Sequence, residues 1–258
     1  MRARRMSQKR IGKAAVLGLL ARSFYLQAAW NYQSLQATGF AHALFPVGRK
    51  LSEKGEVPPE FAERHLTLFN TNPILASYVI GTSARMEEDV SAGSSRGEDV
   101  AAMKSALAVP LAAAGDRFFW ATLRPLAGML GLLVAGVAGI SGALVLLVIY
   151  NLFHVYYRAR GVFRGYALGP GVVSEVLHLN LVGLSAQLGL IGAFVLGVLF
   201  VAAGLRWTGG SVGAAFAGFV AVGVVVGLLS DGFQKRITEV ALCVGGAGYV
   251  LTALGLLG

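Results

Sequence analysis

Residues Pro125 to Phe153 read PLAGMLGLLVAGVAGISGALVLLVIYNLF, 29 residues without one Asp, Glu, Lys or Arg. A membrane-crossing helix needs about 20 predominantly apolar residues, so this stretch alone is long enough to span a bilayer. Val176 to Leu205, Trp207 to Ser230 and Val240 to Gly258 also lack any charged residue. Working outward from these runs, the expected class is an all-α, polytopic integral membrane protein with about four membrane-embedded helices in its C-terminal half. Composition agrees: 55% of residues are hydrophobic, 14% are charged, and mean hydropathy is +0.66. Ordinary soluble domains carry roughly 25% charged residues.

The first half is different in kind. It is polar, aromatic and basic, and its apolar pieces are short: Ala14 to Phe24, and Ala101 to Ala114, which contains Lys104 and Pro110. Short apolar pieces suit re-entrant or interfacial helices. The chain therefore divides into a basic tail (1–13), a motif-bearing helical and re-entrant region (14–125) and a Gly-rich transmembrane region (126–258).

The net charge of +9 does not point to nucleic acid. Arg2, Arg4, Arg5, Lys9, Arg10 and Lys13 precede the first apolar segment with no acid among them, as in a cytoplasmic tail under the positive-inside rule. Nucleic-acid binding would want stacking aromatics among these cations, and the tail has none. Anionic lipid headgroups are the expected contact. A secretory signal is the rival reading of the same region, but Arg22 interrupts its apolar core. His154 to Glu175, with Arg158, Arg160 and Arg164, reads as a loop between spans, and Lys235 and Arg236 mark a second loop on the same side. That side is expected to be cytoplasmic, with the N-terminus, which places Gly258 outside.

Small residues recur at four-residue spacing: Gly223 with Gly227, Ala135 with Gly139, Ala138 with Gly142, and Ala193 with Gly197. Such spacing lets helix backbones approach closely in lipid. Cys243 lies in an apolar run and reads as a small buried hydrophobe. The histidines at 42, 65, 154 and 178 are scattered, no metal-ligand spacing occurs, and neither a P-loop nor a G-x-S-x-G turn is present. No metal, cofactor or catalytic residue is expected.

Local chemistry concentrates before Pro125. Ser23, Gln27, Asn31 and Ser34 fall at helical spacing and predict a polar stripe, which could bind sugar hydroxyls, face water or bond a neighbouring helix. Glu60 to Phe69 predicts an amphipathic helix with Phe61, His65, Leu68 and Phe69 inward. It leads into Asn70-Thr71-Asn72-Pro73, where Asn72 and Pro73 suit an N-cap and first turn. Asn70 and Thr71 then remain as a polar knot between apolar helices. Glu87, Glu88 and Asp89 read as a solvated helix end. Gly115-Asp116 follows an apolar piece, and Asp116 suits a cap for the next helix, an acceptor of sugar hydroxyls or a partner for an Arg.

Together the blocks Arg22–Gln27 with Trp30-Asn31-Tyr32, Phe69-Asn70-Thr71-Asn72-Pro73, Glu87-Glu88, and Pro110-Leu111-Ala112 to Gly115-Asp116 with Phe119-Trp120 and Arg124-Pro125 have a familiar order and spacing. They resemble the IID component of the mannose-class bacterial phosphotransferase system. The resemblance implies a non-catalytic, multi-pass permease subunit of the inner membrane that pairs with a IIC subunit, the pairs assembling further. It implies a hexose that is phosphorylated on entry by separate IIA and IIB proteins. By position it assigns Gln27, Asn31, Asn70, Thr71 and Asp116 as sugar-lining or IIC-facing residues. The chain departs from the family pattern at Val109 and Ala113, where glycines are usual, at Arg117, where a small residue or Pro is usual, and at Gln33-Ser34, where a charged pair is usual. These departures leave open a second kind of protein, a non-transporting relict or regulatory membrane subunit.

Overall fold

A computed structural model of the chain describes residues 10–207. The expected spans Trp207 to Ser230 and Val240 to Gly258 lie outside the described residues but for Trp207 itself, as do Gly223, Gly227 and Cys243. Every regular element described is helical: α1 (Gly12–Ser23), α2 (Ala37–Leu51), α3 (Pro59–Leu66), α4 (Ala76–Ser91), α5 (Gly97–Gly115), α6 (Arg124–Ala138), α7 (Ser141–Leu168), α8 (Val172–His178) and α9 (Leu181–Trp207). A π-helical stretch, Asp116–Leu123, joins α5 to α6 without a break. The described chain falls into two compact units, one of residues up to Trp120 with Asn151–Val182, the other of Ala121–Tyr150 with the residues from Gly183 onward.

In the first unit α4 is the central helix. Residues Ala76 to Ala84 are all buried, and α1, α2 and α5 pack against it. A helix apolar on every side is a core helix, and Ser77-Tyr78-Val79-Ile80-Gly81 fits that role because its small residues admit a second backbone. Gly161 and Gly165 of α7 supply it. A side chain at Gly81 would run into the Val162 carbonyl, one at Gly161 into Ser77 Oγ, and one at Gly165 into the Tyr78 carbonyl. Gly161 and Gly165 form the GxxxG pair that the sequence reading passed over. The region from His154 to Glu175 is accordingly no open loop; α7 continues through it to Leu168, a tight turn at Gly169–Gly171 leads into α8, and its arginines bond protein. Arg160 and Arg164 both hold the Glu175 carboxylate of α8, at 2.8 and 2.5 Å. Arg158, buried, donates to the Ser23 carbonyl at the end of α1 and lies over the Phe24 ring, a cation where the helix dipole favours one.

Glu87 and Glu88 correct another expectation, for they are 3% and 1% exposed. Glu87 Oε1 accepts from Arg64 Nε at 2.8 Å and from His65 Nε2 at 2.9 Å. Glu88 Oε1 accepts from the Ile11 amide and the Tyr166 hydroxyl, each at 2.6 Å, and Oε2 accepts from Arg85 at 3.0 Å. Lys50 takes the Ile11 carbonyl. A buried charge must be paired, and the donors here come from α3, α7, the residue before α1 and Arg85 of α4 itself. Lys104 is buried too, its ammonium on the Arg64 carbonyl at 3.0 Å and Thr67 Oγ1 at 2.9 Å, closing the C-terminal end of α3. Ala101 to Ala114 is thus no separate short piece but part of a helix running from Gly97 to Ala138. The amphipathic helix expected over Glu60 to Phe69 is present but stops at Leu66, because Thr67 turns extended; Phe61 and His65 face inward.

In the second unit the decisive stretch Pro125 to Phe153 is a hairpin and not one span. Gly139 has φ +57°, a left-handed turn that ends α6. Gly131 and Gly142 bring the arms together: a side chain on Gly131 would sit 2.8 Å from the Gly142 carbonyl, and one on Gly142 would strike the Gly131 carbonyl and Ala135. The pairs Ala135/Gly139 and Ala138/Gly142 therefore straddle a turn instead of marking one helix face. Gly97–Ala138 and Ser141–Leu199 are long and apolar enough to cross a membrane, and only 22% and 28% of their most apolar windows are covered by the protein itself. Core helices of a soluble protein would be mostly covered.

Gly165→Leu is expected to destabilise the chain by about 3 kcal/mol or more, the upper range for overpacking, whereas Gly18→Ala, which meets open space, leaves the melting temperature in detergent unchanged or slightly higher. Burial lowers the His65 pKa below its ordinary value, with Glu87 opposing and Lys104 and Arg64 adding to the effect. Its contribution to stability is thus full above about pH 6.5, the unfolded value, and is lost as pH falls, by at most about 1.4 kcal/mol per pH unit. The melting temperature should fall between pH 7.5 and 5.5 for the unmodified chain and fall less for His65→Gln.

Candidate functional site

The motif residues build a compact knot from two irregular segments, 31–36 and 69–72. Asn31 closes the first: its Oδ1 accepts the amides of Gln33 at 3.0 Å and Ser34 at 2.8 Å, and its backbone pairs with Leu35 in both directions. Leu35 takes φ +56°. The turn so made presents Ser34 and Gln36 to the second segment. Phe69 N donates to the Ser34 carbonyl at 3.3 Å and Gln36 N to the Phe69 carbonyl at 2.9 Å. The buried Gln36 side chain then extends this short ladder. Its Nε2 donates to the Thr71 carbonyl at 2.8 Å, and its Oε1 accepts the Thr71 amide at 3.1 Å. One amide side chain thereby does what another strand residue would do.

The knot is fastened to α5 at two points. Thr71 Oγ1 donates to the Ala108 carbonyl at 2.7 Å. Asn72 Nδ2 donates to Asp116 Oδ1 at 2.9 Å, while Asn72 Oδ1 accepts the amides of Ile74 at 3.0 Å and Leu75 at 3.3 Å. Asn72 thus serves as the cap that its neighbour Pro73 suggests, with α4 assigned from Ala76. Gly115 permits the approach, since a Cβ there would lie 2.5 Å from Cβ and Cγ of Asn72. Asp116 does not begin a new helix as a cap would. It opens the π-helical stretch, whose Phe118 and Phe119 are buried with edge-on ring contacts to Tyr157 at 5.7 Å.

The residues assigned from sequence divide into two kinds. Asn31, half-buried, spends its side chain within its own turn, where Nδ2 also reaches Ser34 Oγ at 3.1 Å. Thr71, buried, spends its hydroxyl on α5. Asn70 and Asp116 are exposed, Asn70 between buried Phe69 and Thr71, and Asp116 with one oxygen on Asn72. Gln27 is exposed and outside this bonding network. The expected stripe of Ser23, Gln27, Asn31 and Ser34 does not form, because α1 ends at Ser23, whose hydroxyl bonds the Leu20 carbonyl at 2.7 Å. Residues 24–36 are turns, with Phe24, Tyr25, Trp30 and Tyr32 exposed. Sequence reasoning missed Gln36 and the second role of Asn72. The available signal was their polarity beside apolar helix starts.

Among the described residues no three His, Cys, Asp or Glu side chains gather as a metal site. An open recess of about 610 Å³ near α3 and the start of α5 is lined by charges of both signs, Glu60, Glu63, Arg64, Arg96 and Glu98. It lacks the buried, oriented polar groups of the knot.

Residues 10–205 match the model of the phosphotransferase-system mannose/fructose/sorbose family IID component. The mannose-specific EIID component of Escherichia coli strain K12 is 31% identical over 195 residues, 75% of this chain and 69% of that protein. The fructose permease IID component of Bacillus subtilis strain 168 is 30% identical over 202 residues, 78% and 72% of the two chains. A chain in the solved complex of the mannose transporter ManYZ with microcin E492 superposes with a TM-score of 0.59 at 30% identity, covering 74% of this chain and 71% of that one. With the family model matched over most of its length and relatives at 31% and 30% identity, the chain belongs to the mannose/fructose/sorbose family of phosphotransferase-system IID components, membrane permease subunits of sugar transport.

Proposed function

We propose that this chain pairs with a IIC subunit in the bacterial inner membrane and that the pair moves a hexose, which IIB phosphorylates from a IIA-borne phosphoryl group. Its relatives are named for mannose, fructose and sorbose, and one similar chain was solved within a mannose transporter. The observation that carries the reading is the knot: buried amides and a hydroxyl hold two polar side chains, Asn70 and Asp116, outward. Amides and carboxylates are the groups that bond sugar hydroxyls. In this reading Gln27 and Asn31 belong to the face toward IIC, and Thr71 acts through the knot. The basic tail lies on the cytoplasmic side against anionic headgroups, and IIC–IID pairs assemble into a higher oligomer.

The relict reading rests on the departures at Val109, Ala113, Arg117 and Gln33-Ser34. Val109, Ala113, Arg117 and Gln33 are exposed and Ser34 is half-buried, whereas the position with no room for a methyl retains Gly115. The departures from the family pattern thus spare the contact that holds Asp116, which favours a working transporter.

The test is phosphoenolpyruvate-dependent uptake of labelled mannose, fructose and sorbose in cells that express this chain with its IIC, IIA and IIB partners. Omission of the chain should abolish uptake; undiminished uptake without it would overturn the proposal. Asn70→Ala should cut uptake by more than about tenfold, the scale of one lost polar contact, with insertion and pairing intact. Gly115→Ala should lose uptake or assembly, while Ala113→Gly and Ala114→Gly leave both unchanged.

A further inference from the structure

We infer that Asn72 is a positioning residue for the Asp116 carboxylate, and through it a determinant of which hexose is accepted; this rests on the sugar-facing role proposed for Asp116. The orientation of the Asn72 amide is fixed by its bonds. Oδ1 takes two backbone amides at the head of α4, so the NH₂ group must face the other way, where Asp116 Oδ1 stands 2.9 Å off. An amide with its acceptor end occupied by donors can offer only a donor at the opposite end.

The carboxylate is therefore held at one oxygen. Among the described residues no partner is assigned to its second oxygen, and the side chain as a whole is exposed. Asn72 is itself immobilised: it is 1% exposed, follows a Thr71 bonded to Gln36 and Ala108, and is pressed against Gly115. The direction in which Asp116 presents its free oxygen is consequently set by residues 36, 71 and 72, well before it in the chain. Hexose epimers differ in the direction of a single hydroxyl. A carboxylate free to rotate would accept from either epimer and would lose side-chain freedom on binding, whereas one already aimed loses little and discriminates.

Asn72→Asp separates this role from the capping role. Asp caps a helix as well as Asn does, and the two side chains have nearly the same shape, so α4 keeps its start. The donor facing Asp116 becomes an acceptor. In the uptake assay described above, with labelled mannose, fructose and sorbose as probes, the variant should raise the half-saturating concentration of the preferred sugar about tenfold, as for one lost charge-assisted bond. The maximal rate should change little, the preference among the three sugars should narrow, and the amount of complex with IIC should be unchanged. The exchanged pair Asn72→Asp with Asp116→Asn restores a hydrogen bond of opposite polarity without the carboxylate at 116; it should assemble and still fail to take up sugar. Unchanged half-saturation and preference in Asn72→Asp, when Asp116→Asn alone abolishes uptake, would overturn the positioning role and leave the sugar-facing role standing. Unchanged uptake in Asp116→Asn would overturn both. Loss of the complex in Asn72→Asp, whether or not the exchanged pair restores it, would assign the contact to folding and overturn the inference.

Discussion

Two adjacent buried carboxylates, Glu87 and Glu88 on α4, are the constraint around which the first unit is arranged. Removing a carboxylate from water costs several kcal/mol unless donors replace the water. Here the donors are Arg64 and His65 for one, and the Ile11 amide, Arg85 and Tyr166 for the other. Three of those five stand on α3 or α7, and Ile11 stands at the entry to α1. Each acid thus makes its own burial conditional on elements distant in sequence arriving together. The GxxxG face of α7 does the complementary work, bringing Tyr166 within reach of Glu88 by letting α7 lie directly on α4. The two contacts support one another: the crossing has no room for side chains at Gly161 and Gly165, and it delivers one of the three donors that Glu88 uses.

Class and family were legible from sequence because they rest on features that survive without knowledge of contacts. Apolar runs do not depend on what packs against them, and the motif from Arg22 to Pro125 is recognised by order. What failed to show was whatever depended on a distant partner or on a single backbone angle. Glu87 and Glu88 look like a solvated helix end because nothing within several residues, apart from Arg85, reveals the donors that bury them. Pro125 to Phe153 looks like one span because hydropathy is blind to a turn made of Gly139 and Ile140. The spacing of Ser23, Gln27, Asn31 and Ser34 is helical, yet the turn closed by Asn31, with Leu35 at positive φ, ends any stripe. The candidate site was legible in part: Asn70 and Asp116 stood out, whereas Gln36 and Asn72 looked like ordinary helix-start residues.

The knot joins these two lessons. Its polar atoms are satisfied almost entirely from within: Gln36 by Thr71, Thr71 by Ala108, Asn72 by α4 and Asp116. A network closed in this way is rigid, because leaving any member unpaired and buried costs about 1–3 kcal/mol. Rigidity is what gives the exposed members their meaning. Asn70 is flanked by residues whose backbone groups are already committed, and Asp116 is tied at one oxygen, so both stand out from a frame that cannot easily yield to meet them.

Phosphoryl transfer makes different demands. A phosphoryl-carrying histidine must expose a ring nitrogen, and His65, the histidine at the heart of the first unit, has Nε2 on Glu87 and Nδ1 buried without a partner. Its imidazole is a structural donor whose charge state is tied to the packing of α3 on α4. The sugar-facing role proposed for the knot, by contrast, calls for no proton transfer and no nucleophile; it calls for hydroxyl acceptors and donors kept in fixed directions. Gly115 marks where the two kinds of demand separate. Elsewhere in the Val109–Asp116 motif side chains stand at Val109 and Ala113, but at the one residue whose absent side chain lets Asn72 touch Asp116 the sequence keeps glycine.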